Sequence, residues 1–193
     1  NTFLAGSTGA VVAAYIGLVR TGRISAAQSS NGALAGLVGI TAPCAFVAPW
    51  AAVVIGAIAA GLMLVSVHVI EHRLRIDDPV GASSVHGTAG VWGLLSVGIF
   101  ADGTYGVSGF IAGNGSQFVA QLIAAIVAVA WALTMGFVLF NALKFTVGLR
   151  ASREDELSGL DEPEHGESTY ADDEPPVDDV EVNGVPAAED AVT

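Results

Sequence analysis

The sequence predicts an all-α, polytopic membrane protein carrying a charged tail, and three observations lead there. First, 52% of the 193 residues are hydrophobic while the formal net charge is -12, and the two properties occupy different parts of the chain. Residues 1 to 150 hold six Lys or Arg and four acids (Glu71, Asp77, Asp78 and Asp102), whereas residues 151 to 193 hold fifteen acids and one basic residue, Arg153. The net charge therefore belongs to the tail. Second, Asp, Glu, Lys and Arg are absent from 1 to 19, 24 to 70, 80 to 101 and 103 to 143. A bilayer-spanning helix needs about 20 apolar residues, so these gaps leave room for five. Third, small residues recur four apart, as at Gly32 and Gly36, Gly56 and Ala60, and Ala89 and Gly93. That spacing lets helix backbones approach closely in lipid and suits a compact bundle.

The expected helices run over 2 to 19, 32 to 42, 50 to 71, 82 to 101 and 117 to 145. The second is short, and Pro43 and Pro49 follow it. A continuous helix does not accommodate them, so Thr41 to Pro49 reads as a broken connection, acceptable where protein or a cavity covers the freed backbone groups. Basic residues mark the side of each loop. Arg20 and Arg23 follow the first helix, Arg73 and Arg75 the third, and Lys144, Arg150 and Arg153 the fifth; the loops after the second and fourth have none. Cytoplasmic loops concentrate Lys and Arg, so the start is expected outside and the tail inside. The first residue is Asn and no basic stretch precedes the first apolar run, so we expect no signal peptide and a numbering that starts within a longer protein. The single cysteine, Cys44, reads as a packing residue without disulfide or metal chemistry.

Three groups of residues are candidates for chemistry. His86 lies in the fourth expected helix, where an ionisable side chain is costly unless it faces a cavity or a partner. At α-helical spacing its neighbours are Gly90, Gly93 and Val97, a strip that would leave open space beside the ring, while Trp92, Leu95 and Ile99 fall on other faces. The competing reading is a structural histidine bonded to a neighbouring helix. Ahead of it, Asp77-Asp78-Pro79 reads as a helix start, with Asp78 as the N-cap and Pro79 preset for the first turn. Capping, or pairing with Arg73 or Arg75, is the expected role of these acids. Finally, His68, Glu71 and His72 match the H-x-x-E-H spacing of one class of zinc peptidases. No third protein ligand is evident and Arg73 and Arg75 follow directly, so helix-terminal histidines near an interface are the better reading. No metal, cofactor, catalytic residue or nucleic-acid partner is expected.

The stretch from Arg75 to Gly93, RIDDPVGASSVHGTAGVWG, closely resembles a signature of the ammonium transporter (Amt/Rh) family. The stretch from Gly32 to Cys44, GALAGLVGITAPC, resembles the family's preceding pore helix. TVGLR at 146 to 150, GLD from Gly159 and HGESTY from 165 to 170 resemble its cytoplasmic C-terminal region. The resemblance covers about residues 1 to 170 in order. It implies a homotrimer of eleven-helix subunits, each with a pore between two inverted five-helix repeats, of which this chain would be helices seven to eleven. His86 then matches the second of two paired pore histidines, the first lying in the other half with the external gate. Thr41, Leu34 and Ala82 match positions lining that pore. A PII-type regulatory protein would dock on the cytoplasmic face.

These implications divide the chain into a transmembrane domain over 1 to 150, a cytoplasmic regulatory region over 151 to 170 and an acidic extension over 171 to 193. The extension has no aromatic residue and the composition of a disordered segment. Glu162 and Pro163 stand where some plant relatives place a phosphorylatable threonine. The expected function is ammonium transport across the cell membrane. A histidine suits an apolar pathway because a neutral imidazole offers one nitrogen as acceptor and the other as donor. The alternatives are an ammonium sensor signalling through the tail, a Rhesus-like channel for neutral ammonia, and a membrane metalloenzyme around His68 and His72.

Overall fold

In a computed structural model, which describes residues 1–166, five main helices form in the expected order. They are α1 (Thr2–Thr21), α2 (Ala26–Thr41), α3 (Pro49–His68), α4 (Ala89–Phe100) and α5 (Ser116–Thr146), followed by two short helices, α6 (Arg153–Ser158) and α7 (Asp161–His165). The acidic extension and the stretch from Glu167 to Tyr170 lie outside the described residues. The chain divides into a unit over Asn1–Val138 and a second that begins at Leu139.

Among the described residues three helical segments are long and apolar enough to cross a membrane: Thr2–Thr21, Pro49–Leu74 and Ser116–Thr146. The other two expected spans are shorter helices. At 1.5 Å per residue, the 16 residues of α2 reach about 24 Å, short of a hydrocarbon core of about 30 Å. It begins six residues before its expected start because Ser25 caps it, its side chain accepting from the Gln28 N–H at 3.2 Å. Ser25 and Gln28 have the S-x-x-Q spacing of a capping box, so the polar run from Gln28 to Asn31 is helix and not loop. After Thr41 the chain turns as the two prolines require, and α3 restarts with Pro49 in its first turn.

Both helices around the 75 to 82 loop carry wide turns. Continuing α3, Val69–Leu74 is π-helical and ends at Arg75 with φ 56°. Ahead of α4, Ser83–Thr88 is a second π-helical turn.

The core of the first unit is built from small residues. Gly36 of α2 and Gly56 of α3 both lie against the Ala5 carbonyl oxygen of α1, where no side chain would fit. Gly39 of α2 faces Gly93 of α4 in the same way: a Cβ at Gly93 would sit 2.7 Å from the Gly39 oxygen. Small residues thus bring four helices to backbone contact, which is how packing is gained where lipid supplies no hydrophobic drive. Around these crossings, Ile40, Ile55, Met63, Val85 and Ala89 are buried. Trp92 spans them, donating its indole N–H to the Ile55 oxygen at 3.1 Å and meeting Phe100 edge-on. By contrast α5 is apolar along 31 residues and buries only Ala125. Its start packs tightly, Phe118 lying on Gly98.

In the second unit Arg150 forms a bidentate ion pair with Glu156, with nitrogen to oxygen distances of 2.8 and 3.0 Å. Ser152 caps α6 through the Asp155 N–H at 3.1 Å, and α6 ends at Gly159 with φ 100°.

Candidate functional site

The loop before His86 is folded by one buried carboxylate. Asp78 is 5% exposed and accepts from the Ser83 N–H at 3.2 Å, the Ser84 N–H at 3.4 Å and the Ser84 hydroxyl at 3.5 Å. It therefore caps the helix start, as the sequence suggests, but from five and six residues away. Pro79 is not in the first helical turn. It occupies the second position of a turn closed by the Gly81 N–H on the Asp78 oxygen at 2.8 Å, a position its fixed φ favours, and Gly81 leaves the turn at φ 67°. Among the described residues no ion pair joins Asp78 to Arg73 or Arg75.

The π-helical turn sets which side chains share a face. At about 100° per residue an α-helix would place His86 beside Ala82 and also beside Ala89, which is fully buried. The i→i+5 turn advances less per residue, so the faces separate. Ala82, Ser83, His86 and Gly87 are exposed, whereas Ser84, Val85 and Ala89 are buried against α2 and α3. A hydroxyl pair, Ser66 on α3 and Thr88 at 2.7 Å, ties the turn to α3.

The His86 ring is exposed and, among the described residues, makes no hydrogen bond, ion pair or ring contact. Among the described residues no neighbouring helix bonds it, as the structural reading would require. The expected strip of glycines beside it is corrected in part. Gly93 packs on α2 and Val97 is buried, because the wide turn rotates them away from His86. Open space lies at Gly87, where a Cβ would meet nothing within 4 Å, and at Gly90, where it would meet Val38 Cγ1 at 3.8 Å.

The remaining candidates form a second face. Leu34 and Thr41 are exposed and seven residues apart on α2, two turns along one side. The Thr41 hydroxyl donates to the Leu37 oxygen at 2.8 Å. The two faces adjoin at Val38 and Gly90, each four residues beyond a candidate, Leu34 and His86 respectively. Sequence reasoning passed over Val38; its spacing from Leu34 was the available signal. Together the faces make a largely apolar wall that carries the His86 imidazole, the satisfied Thr41 hydroxyl and, toward the loop, Ser83.

His68 and His72 stack with ring centroids 4.7 Å apart at the junction of α3 and its π-helical turn. Among the described residues no three His, Cys, Asp or Glu side chains gather as metal ligands would. Cys44 is free, its sulfur 3.2 Å from the Thr2 hydroxyl.

A family model described as the Ammonium Transporter Family matches residues 1–170. Similar curated proteins include ammonium transporter Amt2 of Archaeoglobus fulgidus, 48% identical over 88% of this chain and 38% of its own length. Another is ammonium transporter 1 member 2 of Arabidopsis thaliana, 36% identical over 89% of this chain and 35% of its own. Among solved structures, one titled Sensor Amt Protein superposes with a TM-score of 0.76 and 38% identity, over 85% of this chain and 40% of that one. Mep2 of Saccharomyces cerevisiae gives 0.71 and 33%, over 79% and 36%. The chain thus spans well under half the length of the relatives it matches. With a helical membrane fold and a family match over most of its length, this chain belongs to the ammonium transporter family.

Proposed function

We propose that this chain forms one wall of a pathway for ammonium across the cell membrane, with His86 as one of a histidine pair whose other member lies outside this chain. What supports the reading most is the state of His86. An exposed imidazole, unpartnered among the described residues, stands within a largely apolar wall, on a turn whose geometry turns it away from the buried face. An ion stripped of water in such a place costs several kcal/mol unless a group accepts its hydrogen bonds or its proton. A neutral imidazole can do either. Leu34, Thr41 and Ala82 shape the lining, and the Thr41 hydroxyl, bonded back to its own helix, adds little polarity.

In this reading the protein is a homotrimer in the membrane, with residues 151 to 170 as a cytoplasmic regulatory region and a PII-type protein as its partner. The three loops with Arg20 and Arg23, Arg73 and Arg75, and Lys144 to Arg153 face the cytoplasm. Residues 1 to 150 form the membrane domain, and 171 to 193 extend beyond the regulatory region.

The test is uptake of labelled methylammonium, with current recorded, in liposomes holding the full-length protein as wild type, His86→Ala and His86→Glu. Uptake by the wild type that His86→Ala slows or makes less selective supports the proposal, and current distinguishes ion transport from passage of neutral ammonia. A sensor is the second reading, favoured by the likeness to the structure titled Sensor Amt Protein. It takes over if the wild type binds ammonium yet moves nothing above empty liposomes.

A further inference from the structure

A cavity of about 250 Å³ opens at the end of the α1 to α3 bundle, and neither His86 nor the other residues of its wall line it. Five of its lining residues are polar and come from three helices. Arg20 stands in the last turn of α1, Gln28 and Asn31 in the first turns of α2, His68 at the end of α3 and His72 in the π-helical turn that continues it. Met63 and its neighbours on α3 make the apolar floor.

The donors here are in excess. Among the described residues Arg20 has no ion pair, so its guanidinium, with five N–H groups in a planar fork, is free. The Gln28 amide donates to the Ala13 oxygen at 2.7 Å and the Asn31 amide to the Val80 oxygen at 3.0 Å, and each nitrogen keeps a second N–H. Gly17 makes room for Gln28, since a Cβ there would lie 2.9 Å from the amide nitrogen. The histidines hold each other stacked beside them. The nearby carboxylates, Glu71 and Asp77, line a separate hollow with Arg75.

A free guanidinium, two imidazoles and two spare amide N–H groups above an apolar floor suit one chemistry. The geometry points to a binding site for an anionic phosphate group, held bidentately by Arg20 and flanked by His68, His72, Gln28 and Asn31. Arg20 and His72 end two helices long enough to span, which puts the cavity at headgroup depth, where lipid phosphates are abundant. Its volume, a little below the 300 Å³ or so at which drug-sized pockets begin, fits a headgroup with its chains left in the bilayer.

The experiment is a titration of the detergent-purified full-length protein with dioleoyl phosphatidylglycerol, read by native mass spectrometry, alongside calorimetry with inorganic phosphate. Wild type is compared with Arg20→Gln, His72→Gln and, as a basic residue elsewhere, Arg153→Gln. All three side chains are exposed, so the helix packing is untouched. The site predicts one tight phosphatidylglycerol per protomer, weakened about tenfold by Arg20→Gln as charge-assisted hydrogen bonds are lost, weakened less by His72→Gln, and unchanged by Arg153→Gln. Phosphate that binds alone and competes with the lipid would identify a free anion as the occupant; lipid binding without phosphate binding would identify the headgroup. The proposal is overturned if neither probe binds, if Arg20→Gln binds both as wild type does, or if Arg153→Gln weakens binding as much as Arg20→Gln.

Discussion

Replacing Gly56 with alanine tests the packing that holds the wall in place. A methyl group there would lie 2.7 Å from the Ala5 Cα and 2.8 Å from its carbonyl carbon, besides meeting the carbonyl oxygen. Carbon atoms pack best at about 3.5 to 4.0 Å, so α3 must move from α1 by about 1 Å. The obstacle is backbone, which cannot swing aside as a side chain can. Gly36 of α2 meets the same Ala5 oxygen, so the shift would reach α2 as well. Overpacking of this kind costs about 1–3 kcal/mol, whereas alanine gains about 0.8–1.0 kcal/mol in helix propensity. The cost wins, and Gly56→Ala should lower stability by up to about 2 kcal/mol. Gly61 is the comparison, because it lies in the same helix and a Cβ there meets nothing within 4 Å. Gly61→Ala should raise stability by up to about 1 kcal/mol. Thermal unfolding of the two variants in detergent, followed by circular dichroism, gives the answer as two opposite shifts. Equal shifts of the same sign would refute the reasoning, since propensity alone would then account for both.

Other consequences follow from the same contacts. Asp78→Ala leaves the Ser83 and Ser84 N–H groups without their acceptor at a buried position, so it should cost about 1–2 kcal/mol and speed hydrogen exchange at those two amides. Trp92→Phe removes the indole N–H bond to the Ile55 oxygen, which keeps its partner within α3, and a loss of about 1 kcal/mol is expected in the same unfolding assay. Asp102, exposed in the loop after α4, is held below the ordinary carboxylate range chiefly by the Thr104 hydroxyl and also by the Thr104 N–H. Its contribution to the loop is complete above the ordinary carboxylate value and is lost as pH falls through the lowered one. Thr104→Val should therefore raise the Asp102 titration midpoint, read from its carboxyl carbon resonance.

The order of helices could be read from the sequence because charge is excluded from lipid, and the gaps between charged residues outlined the helices in turn. The break after Thr41 was equally legible, since Pro43 and Pro49 remove donors wherever they stand. Local hydrogen bonding set the rest. The start of α2 depends on a single serine oxygen reaching the Gln28 N–H, and polar residues near a helix start resemble a loop until that cap is recognised. The wide turn at Ser83–Thr88 has no periodic signal. It follows from the buried Asp78 carboxylate below it and the Ser66 to Thr88 bond beside it, and both join residues far apart in the chain or across a turn. Because periodicity was assumed to be α-helical through His86, Gly93 was assigned to open space when it belongs to the contact with Gly39. His86 stands out in the sequence as an ionisable residue within an apolar segment, whereas Leu34, Thr41 and Ala82 were identified by resemblance, and each of the four is exposed on the chain.

The most direct test of the wall is a cysteine at Ala82, exposed on the face that carries His86, in full-length protein whose natural cysteines, Cys44 among them, are changed to serine. A small membrane-impermeant methanethiosulfonate is added to proteoliposomes of this variant from either side while methylammonium uptake is followed. The account predicts that modification stops uptake in proportion to the fraction labelled and that substrate slows the labelling. Full modification with uptake unchanged would contradict it, because the face shared by Ala82 and His86 would then lie off the path.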